Sequence, residues 1–234
     1  MRKGVSIIIP TYNERENIGR LIPAIFSALS KASIKGEVIV VDDNSPDGTA
    51  RIVSGLSKKF NVKLIVREKK AGLSSAVLEG IKNSSGEIIG VMDADFSHPP
   101  GKIPEFAKSL EHADIAIGSR FIGGGGIRGW SSLKMSRSAI ASLLARGLTS
   151  VSDPMSGFFF FRREIISGAS LRPKGYKIGL EIMVKGKHAR VAEVPYVFHD
   201  RMRGKSKFNA KEAINYLVHI TRLYVHKGKL VAWP

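Results

Sequence analysis

Short apolar runs alternate with longer segments of helical spacing along the first half of the chain. Runs that are apolar on nearly every residue, separated by helices of about a dozen residues, are typical of parallel strands covered on both faces. The pattern therefore predicts an α/β fold with a mostly parallel sheet flanked by helices. The predicted strands are residues 5–9, 37–41, 62–66 and 88–92, and the predicted helices are residues 18–29, 49–60 and 74–82.

Polar and acidic residues follow three of these strands directly, at residues 10–14, 42–48 and 93–95. The carboxyl ends of parallel strands meet at one edge of a sheet, where the ligands of such sheets bind. Asp93 and Asp95 are two residues apart, so both carboxylates can face a divalent cation that neutralises a diphosphate. Residues 42–48 also have a simpler interpretation as a turn in which Asp47 or Ser45 caps the next helix.

The amino-acid composition limits which binding partners and which kinds of catalytic chemistry the protein can use. Lys and Arg number 37 against 20 Asp and Glu, which gives a net charge of +17 and predicts a polyanionic partner. The absence of cysteine excludes disulfides and thiolate chemistry. The first strand is not followed by a GxGxxG fingerprint, which disfavours a dinucleotide-binding dehydrogenase. We find neither a signal peptide nor an apolar stretch long enough to span a bilayer, and expect a cytoplasmic protein.

The second half of the chain is more basic than the first. Residues 115–152 contain no acidic residue, and apolar positions in 135–148 repeat at three and four residues. A second such segment runs over residues 210–224. We expect basic amphipathic helices that lie on an anionic membrane surface. The alternative is that the stripe of residues 135–148 packs on the sheet.

A dense group of cations occupies residues 201–207, with Arg201 at its start and Lys207 at its end. Such a stretch is either a solvated basic loop or a clamp for phosphate groups. Arg120, at the end of the apolar run 114–117, is a candidate to join the clamp.

Six segments of this chain together resemble, in order, the motifs of the family 2 glycosyltransferases. The resemblance covers residues 4 to about 225, and six ordered motifs are more specific than any one of them. Within the family, the chain is most similar to enzymes that make dolichyl-phosphate mannose. The segments are residues 7–14, 41–49, 72–76, 92–99, 118–121 and 201–207.

The resemblance implies a GT-A nucleotide-sugar fold in a single domain, residues 1–234. Residues 1–119 would bind the nucleotide sugar, and residues 120–234 would face the acceptor and the membrane. The implied metal ligands, for Mg²⁺ or Mn²⁺, are Asp93, Asp95 and Ser97, with Ser97 standing where some relatives carry Gln. The implied donor-binding residues are Pro10, Tyr12, Glu14, Val41, Asp43, Asp93, Ala94, Asp95, Arg120, Arg201 and Lys207, of which Asp95, Arg120, Arg201 and Lys207 would be catalytic.

The implied reaction is transfer of mannose from GDP-mannose to dolichyl or polyprenyl phosphate, with inversion, on the cytoplasmic face of a membrane. A phosphate monoester is largely ionised at neutral pH, since its second pKa is about 6, so it needs no general base. The alternative donor is UDP-glucose or another sugar nucleotide. The protein could also be anchored by a membrane subunit. A module that binds the nucleotide sugar without turnover is a further alternative. A nucleic-acid-binding protein is disfavoured, because acidic strand ends repel phosphates.

Overall fold

A seven-stranded sheet forms the centre of the protein, in the order β3-β2-β1-β4-β7-β5-β8. The computed structural model describes residues 4–200 and 210–228. The strands of this sheet are β1 Val5–Thr11, β2 Gly36–Asp42, β3 Val62–Val66, β4 Ile88–Val91, β5 Ile115–Ser119, β7 Phe159–Arg162 and β8 Val191–Pro195. A smaller parallel pair is formed by β6 Gly126–Arg128 and β9 Val197–His199.

Seven α-helices and two short 3₁₀ helices connect and cover these strands in the described residues. The α-helices are α1 Arg15–Lys31, α2 Thr49–Leu56, α3 Leu73–Lys82, α4 Ile103–Ser109, α5 Ser132–Ala145, α6 Ile178–Lys185 and α7 Ala210–His226. The 3₁₀ helices are Pro100–Lys102 and Arg163–Ile166. The α/β class, the four predicted strands and the three predicted helices of the first half are confirmed, although α1 begins three residues earlier and α2 ends at Leu56.

The sheet is parallel except at β7, which runs antiparallel to both of its neighbours, β4 and β5. Strands β7 and β8 lie within the second part of the predicted division of the chain, so the sheet draws on both parts. Among the described helices, none is both long and apolar enough to cross a membrane.

Side chains on the two faces of the sheet enter separate hydrophobic clusters, as the alternation of a strand requires. Ile8 and Val41 pack with α3 and α6, whereas Ile7 and Val40 pack on the opposite face with α1 and α4. Each of these strands is therefore covered on both sides, which explains why its sequence is apolar without alternation.

Helix α5 turns its apolar stripe away from the core. Ile140 and Leu143 are each 61% exposed. The face that packs inward instead contains Ser142 and Ala145, and Leu148 just beyond the helix is buried with them. On α7, Ile214 and Leu217 are likewise exposed, while Ile220 and Leu223 are buried. Of the two interpretations of the 135–148 stripe, packing against the protein core is correct at Leu148 and wrong at Ile140 and Leu143, and membrane contact stays a prediction.

Candidate active site

The polar strand ends predicted from the sequence meet at one edge of the sheet. Strand β1 lies between β2 and β4 and runs parallel to both, so the residues after these three strands are neighbours. The next strand in the chain, β2, pairs with one edge of β1, and β4 pairs with the opposite edge. This is the kind of crevice in which open α/β sheets bind their ligands.

Two carboxylates stand directly beyond β4. The Asp95 side chain is nearly buried and its Oδ1 accepts hydrogen bonds from the Ser97 hydroxyl, at 2.6 Å, and the Ser97 backbone N–H, at 3.1 Å. The Asp93 side chain is 30% exposed, and its Oδ2 lies 3.9 Å from His98 Nε2. Phe96, between Asp95 and Ser97, adopts a left-handed φ of +62°, which tightens the turn.

The buried side chain of His98 stabilises this turn. Its Nδ1 accepts a hydrogen bond from the backbone N–H of Asp93 at 2.9 Å, and its ring stacks on Phe158 at 4.9 Å between centroids. Burial lowers the pKa of His98, although the nearby carboxylates of Asp93 and Asp95 oppose that shift. The imidazole is therefore neutral at neutral pH, and it holds the Asp93 backbone in place.

A buried ion pair closes the opposite side of the site. Arg120 follows β5, and its guanidinium donates to both carboxylate oxygens of Asp153, at 2.6 and 2.8 Å. The Arg120 backbone N–H also donates to Asp153. The guanidinium carbon lies 5.1 Å from the ring of Trp130 and 5.6 Å from that of Phe198. Asp153 and the rings therefore fix Arg120 in one orientation.

Lys177 adds a second cation between Asp93 and this pair. Its Nζ donates to the carbonyl of Met155 at 3.0 Å. Desolvation lowers the pKa of Lys177 to about 8, with Arg120 lowering it further and the carboxylates of Asp153 and Asp93 opposing the shift. Gly157 lies beside Asp93, since a Cβ placed on it would be 3.9 Å from Asp93 Oδ2. The site thus combines carboxylates and cations over a short distance.

The ends of β1 and β2 form a separate polar region next to the carboxylates. Asp42 is fully buried and accepts hydrogen bonds from Thr11 at 2.7 Å and from the Ser45 backbone N–H at 2.8 Å. Asp47 accepts from the Thr49 backbone N–H at 2.9 Å, but the cap position of α2 is occupied by Gly48, so the prediction that Asp47 or Ser45 caps this helix is wrong. These two carboxylates shape the loop after β2.

Asp43 is the carboxylate of this region that pairs with a cation. Its side chain is bound by the Arg67 guanidinium, which follows β3, and by the Gly72 backbone N–H at 3.0 Å. Arg67 also donates to Ser75 at 2.7 Å, which fixes the start of α3. Nearby, the ammonium of Lys70 lies 3.9 Å from the ring centroid of Tyr12.

The donor set at the end of β4 fits a divalent metal that shares its ligands with a substrate. No group of three or more His, Asp or Glu side chains suited to a metal occurs in the described part of the chain. Mg²⁺ is commonly bound through one or two carboxylates together with substrate phosphates and waters. Asp93 and Asp95 meet that requirement, and the hydroxyl of Ser97 orients Asp95.

The sequence pattern of Glycosyl transferase family 2 matches residues 6–168, which include all three strand ends and the Arg120–Asp153 pair. The chain belongs to glycosyltransferase family 2. It is 45% identical to a dolichol-phosphate mannosyltransferase of Pyrococcus furiosus over 97% of this chain, and it spans 65% of the length of that relative. It is 40% identical to the Saccharomyces cerevisiae protein of the same name, covering 95% of this chain and 87% of the relative.

Solved glycosyltransferases share the fold at low sequence identity. Glucosyl-3-phosphoglycerate synthase of Mycobacterium tuberculosis, solved with Mn²⁺ and UDP, matches with a TM-score of 0.69 and 19% identity, over 98% of this chain and 82% of that one. Mannosyl-3-phosphoglycerate synthase of Rubrobacter xylanophilus matches at 0.70 and 17%, over 99% and 77%. The predicted GT-A architecture of this family 2 member is thereby confirmed.

The structure brings most of the predicted site residues of this glycosyltransferase to one edge of the sheet. Pro10, Tyr12, Glu14, Val41 and Asp43 occupy the ends of β1 and β2 and their loops, and Asp93, Ala94, Asp95 and Ser97 follow β4. Arg120 faces Asp153. Arg201 and Lys207 lie outside the described residues. Sequence reasoning missed Arg67, His98, Asp153 and Lys177.

Proposed function

We propose that this family 2 glycosyltransferase transfers mannose from GDP-mannose to dolichyl or polyprenyl phosphate and inverts the anomeric centre. The observation that carries the proposal is 38–45% identity to three dolichol-phosphate mannosyltransferases over 94–97% of this chain. The strand-end site supports it independently, since it offers carboxylates for a metal and cations for phosphate groups at one position.

The nucleoside part of the donor would bind at the ends of β1 and β2. We assign this role to Pro10, Tyr12, Glu14, Val41 and Asp43. Asp43 is positioned by Arg67 and Gly72, and a carboxylate oxygen has room for more than one donor, so it can also accept from a base N–H. The ring of Tyr12 offers a flat surface at the same end of the sheet.

The diphosphate would bind beyond β4, next to Asp93, Ala94 and Asp95. Asp93 and Asp95 would hold Mg²⁺ or Mn²⁺ there, and the cation would neutralise charge on the departing diphosphate. Ser97 contributes by orienting Asp95. Lys177 and Arg120 supply positive charge on the opposite side, and we assign Arg201 and Lys207 the same role from their sequence positions alone.

The acceptor phosphate would attack without the help of a base. An ionised phosphate oxygen forms the new bond to the anomeric carbon, the bond from that carbon to the diphosphate breaks, and GDP leaves with the electron pair. Attack opposite to the leaving group inverts the anomeric centre. The protein's part is to align the two groups and to stabilise charge on the leaving GDP. His98 does not supply a base, because its Nδ1 already accepts a hydrogen bond from the Asp93 backbone N–H. This agrees with attack by an acceptor phosphate that needs no base.

The lipid acceptor implies that the protein works at a membrane surface. The exposed apolar side chains of α5 and α7, including Ile140, Leu143 and Leu217, are suited to contact the headgroup and acyl region. Basic residues beside them favour an anionic surface. We therefore propose peripheral association with the cytoplasmic face.

Transfer of labelled sugar to a detergent-dispersed polyprenyl phosphate tests the proposal. GDP-mannose and UDP-glucose are compared as donors, each with Mn²⁺ and with EDTA. Label that enters lipid from GDP-mannose, and only with metal, is the expected result. Transfer from UDP-glucose alone contradicts the assigned donor while retaining the reaction class. Transfer from neither donor, by a protein shown to be folded, contradicts the proposed acceptor.

A further inference from the structure

The turn beyond β4, which carries the two carboxylates, contains a backbone conformation that its residue does not favour. Phe96 has a φ of +62°, in the left-handed region. In the described part of the chain, the other non-glycine residues with positive φ are Asn13, Ser33 and Asn44. Asn13 follows β1 and Asn44 follows β2, so each of the three strand ends at the site includes one such residue.

Phenylalanine tolerates this conformation less well than asparagine does. An asparagine side chain can hydrogen-bond the local backbone, which offsets the clash between Cβ and the backbone. A bulky aromatic side chain makes no such bond, so the left-handed φ of Phe96 is strained. Strained conformations persist only where the surrounding structure enforces them, and they are concentrated at functional sites. The support for this turn must therefore come from tertiary contacts.

The side chain of Phe96 is anchored outside the turn. Its ring packs against the hydrophobic cluster on the α1 and α4 face of the sheet, which includes Ile7 and Phe106. On α1, the guanidinium carbon of Arg20 lies 5.6 Å from the centroid of the ring. Core packing and cation–π attraction thus hold the ring, and the held ring keeps the backbone of Phe96 in the left-handed region.

The residues on both sides of Phe96 depend on that conformation. Asp95 Oδ1 accepts hydrogen bonds from the Ser97 backbone N–H at 3.1 Å and from the Ser97 hydroxyl at 2.6 Å, so these bonds close the turn across Phe96. A different φ at Phe96 would rotate Ser97 away from Asp95 and release the carboxylate from its orientation. The orientation of Asp95 is therefore linked to the packing of the Phe96 ring.

We propose that Phe96 is a positioning residue, whose packed side chain sustains a strained turn and thereby fixes Asp95 in the orientation that binds a divalent metal. The inference rests on the proposed function, in which Asp93 and Asp95 hold Mg²⁺ or Mn²⁺. Phe96 carries no group that ligates a metal, so it acts through Asp95.

The affinity for Mn²⁺ tests this role without any need for turnover. Mn²⁺ is titrated into the protein with and without GDP, and unbound Mn²⁺ is followed by electron paramagnetic resonance, with GDP alone as the blank. Phe96→Ala removes the anchor but keeps Cβ, so the turn should relax out of the left-handed region. We expect the dissociation constant for Mn²⁺ to rise about tenfold. Phe96→Leu retains an apolar anchor and should stay within about threefold of the wild-type value.

Phe96→Gly separates the effect of the anchor from that of the strain. Glycine enters the left-handed region without a clash, so the turn can keep its shape although the ring is lost. We expect Phe96→Gly to bind Mn²⁺ about threefold more tightly than Phe96→Ala does. Equal losses of affinity in the two variants would show that the left-handed backbone has no part in the effect, and would overturn the proposal.

Phe60→Ala is the matched control. Phe60 is a half-buried phenylalanine that packs against the same cluster, and its ring stacks on Phe26 at 5.0 Å between centroids. It precedes β3, so it lies at the edge of the sheet opposite to the strand-end site. Phe60→Ala should lower the midpoint of urea denaturation as Phe96→Ala does, but leave the Mn²⁺ dissociation constant unchanged. An equal loss of Mn²⁺ affinity in both variants would reduce the effect to general stability and overturn the positioning role.

Asp93→Asn distinguishes failure of this inference from failure of the proposed function. Loss of Mn²⁺ binding in Asp93→Asn, together with unchanged binding in Phe96→Ala, would refute the role of Phe96 and retain the metal site. Mn²⁺ binding that neither substitution alters would refute the metal assignment and, with it, the role of Phe96.

Discussion

Arg120 and Asp153 show how a charged residue is held inside the site. The side chain of Asp153 is fully buried and that of Arg120 is 6% exposed, so water screens neither charge. Burial opposes the charged form of Arg120, but the hydrogen bonds and charge of Asp153 more than compensate and raise its pKa. Arg120 is therefore permanently charged, and the buried charge is stabilised by the carboxylate of Asp153.

Replacing Asp153 by Asn should lower the free energy of unfolding by about 3 kcal/mol, because a buried guanidinium loses its counter-charge. Urea denaturation measures the change. Asp200→Asn is the control, since Asp200 pairs with Lys134 in an exposed position and should change stability by less than about 1 kcal/mol. Equal changes in the free energy of unfolding for the two substitutions would show that the buried Arg120–Asp153 pair stabilises the fold no more than an exposed pair does.

Asp93→Asn should lower kcat at least about 100-fold, because it removes a charge needed at the diphosphate. The fold should be retained, since the Asp93 side chain is partly exposed and the neutral imidazole of His98 is 3.9 Å from its carboxylate. Transfer assays and thermal denaturation measure the two effects. Glu111→Gln, an exposed change of the same charge, is the control. Unchanged turnover in Asp93→Asn would refute the metal assignment.

The pH profile of the reaction should report Lys177. The pKa of this lysine is lowered to about 8, so raising the pH through 8 removes its charge and weakens attraction for the diphosphate. We expect kcat/KM for the donor to fall above pH 8, and to fall below about pH 6 as the acceptor phosphate gains a proton. Lys177→Arg should move the upper limb to higher pH. A profile that Lys177→Arg leaves unmoved contradicts this role.

Sequence reasoning identified site residues that directly follow a strand, and it missed most of those that do not. Asp93 and Asp43 follow apolar runs directly, so the sequence alone places them at the edge of the sheet. Arg67 also follows a strand, and the same rule applied to β3 would have identified it. Asp153 precedes a strand and Lys177 precedes a helix, and their proximity to Asp93 depends on tertiary contacts that no local pattern encodes.

At the scale of elements, the four parallel strands of the first half were predictable because each is a short, mostly apolar run, whereas the parallel pair β5 and β8 was not predicted. Strand β7 was not predicted, although its sequence is a run of phenylalanines ending at Arg162. A short apolar run shows neither its direction nor its place in a sheet. The antiparallel entry of β7 between β4 and β5 follows from long-range packing alone.

Gly90 of β4 makes room for β7. It is paired with Phe160, and a Cβ on Gly90 would lie 2.3 Å from the phenylalanine ring. Gly90→Ala should therefore lower the free energy of unfolding by about 2 kcal/mol through overpacking, as measured by urea denaturation. Gly101→Ala, where nothing lies within 4 Å of the added methyl, should leave it almost unchanged. Comparable losses in both would exclude crowding at Phe160 as the cause.

At the scale of the whole molecule, the proposed membrane-contact surface consists of exposed apolar residues of α5 and α7. Leu143→Ser should weaken binding to anionic vesicles about tenfold, because a leucine side chain buried in the interface contributes about 1.5–3 kcal/mol. Stability should not change, since Leu143 is 61% exposed. Val66→Ser, an exposed position on β3, is the control. Vesicle binding that is insensitive to Leu143 would contradict the proposed surface.

The position of β7 in the chain, after both of its neighbours in the sheet, bears on the order in which the site is completed during synthesis. A ribosome releases β4 and β5 long before residue 159, and until β7 enters between them both present unpaired edges. Asp153, just before β7, reaches Arg120 only when that strand has docked. A nascent chain that ends before β7 therefore carries Asp93 and Asp95 without the ion pair opposite them. Lys177 follows β7 in the chain, so the cations of the site are assembled last, after the carboxylates are in place.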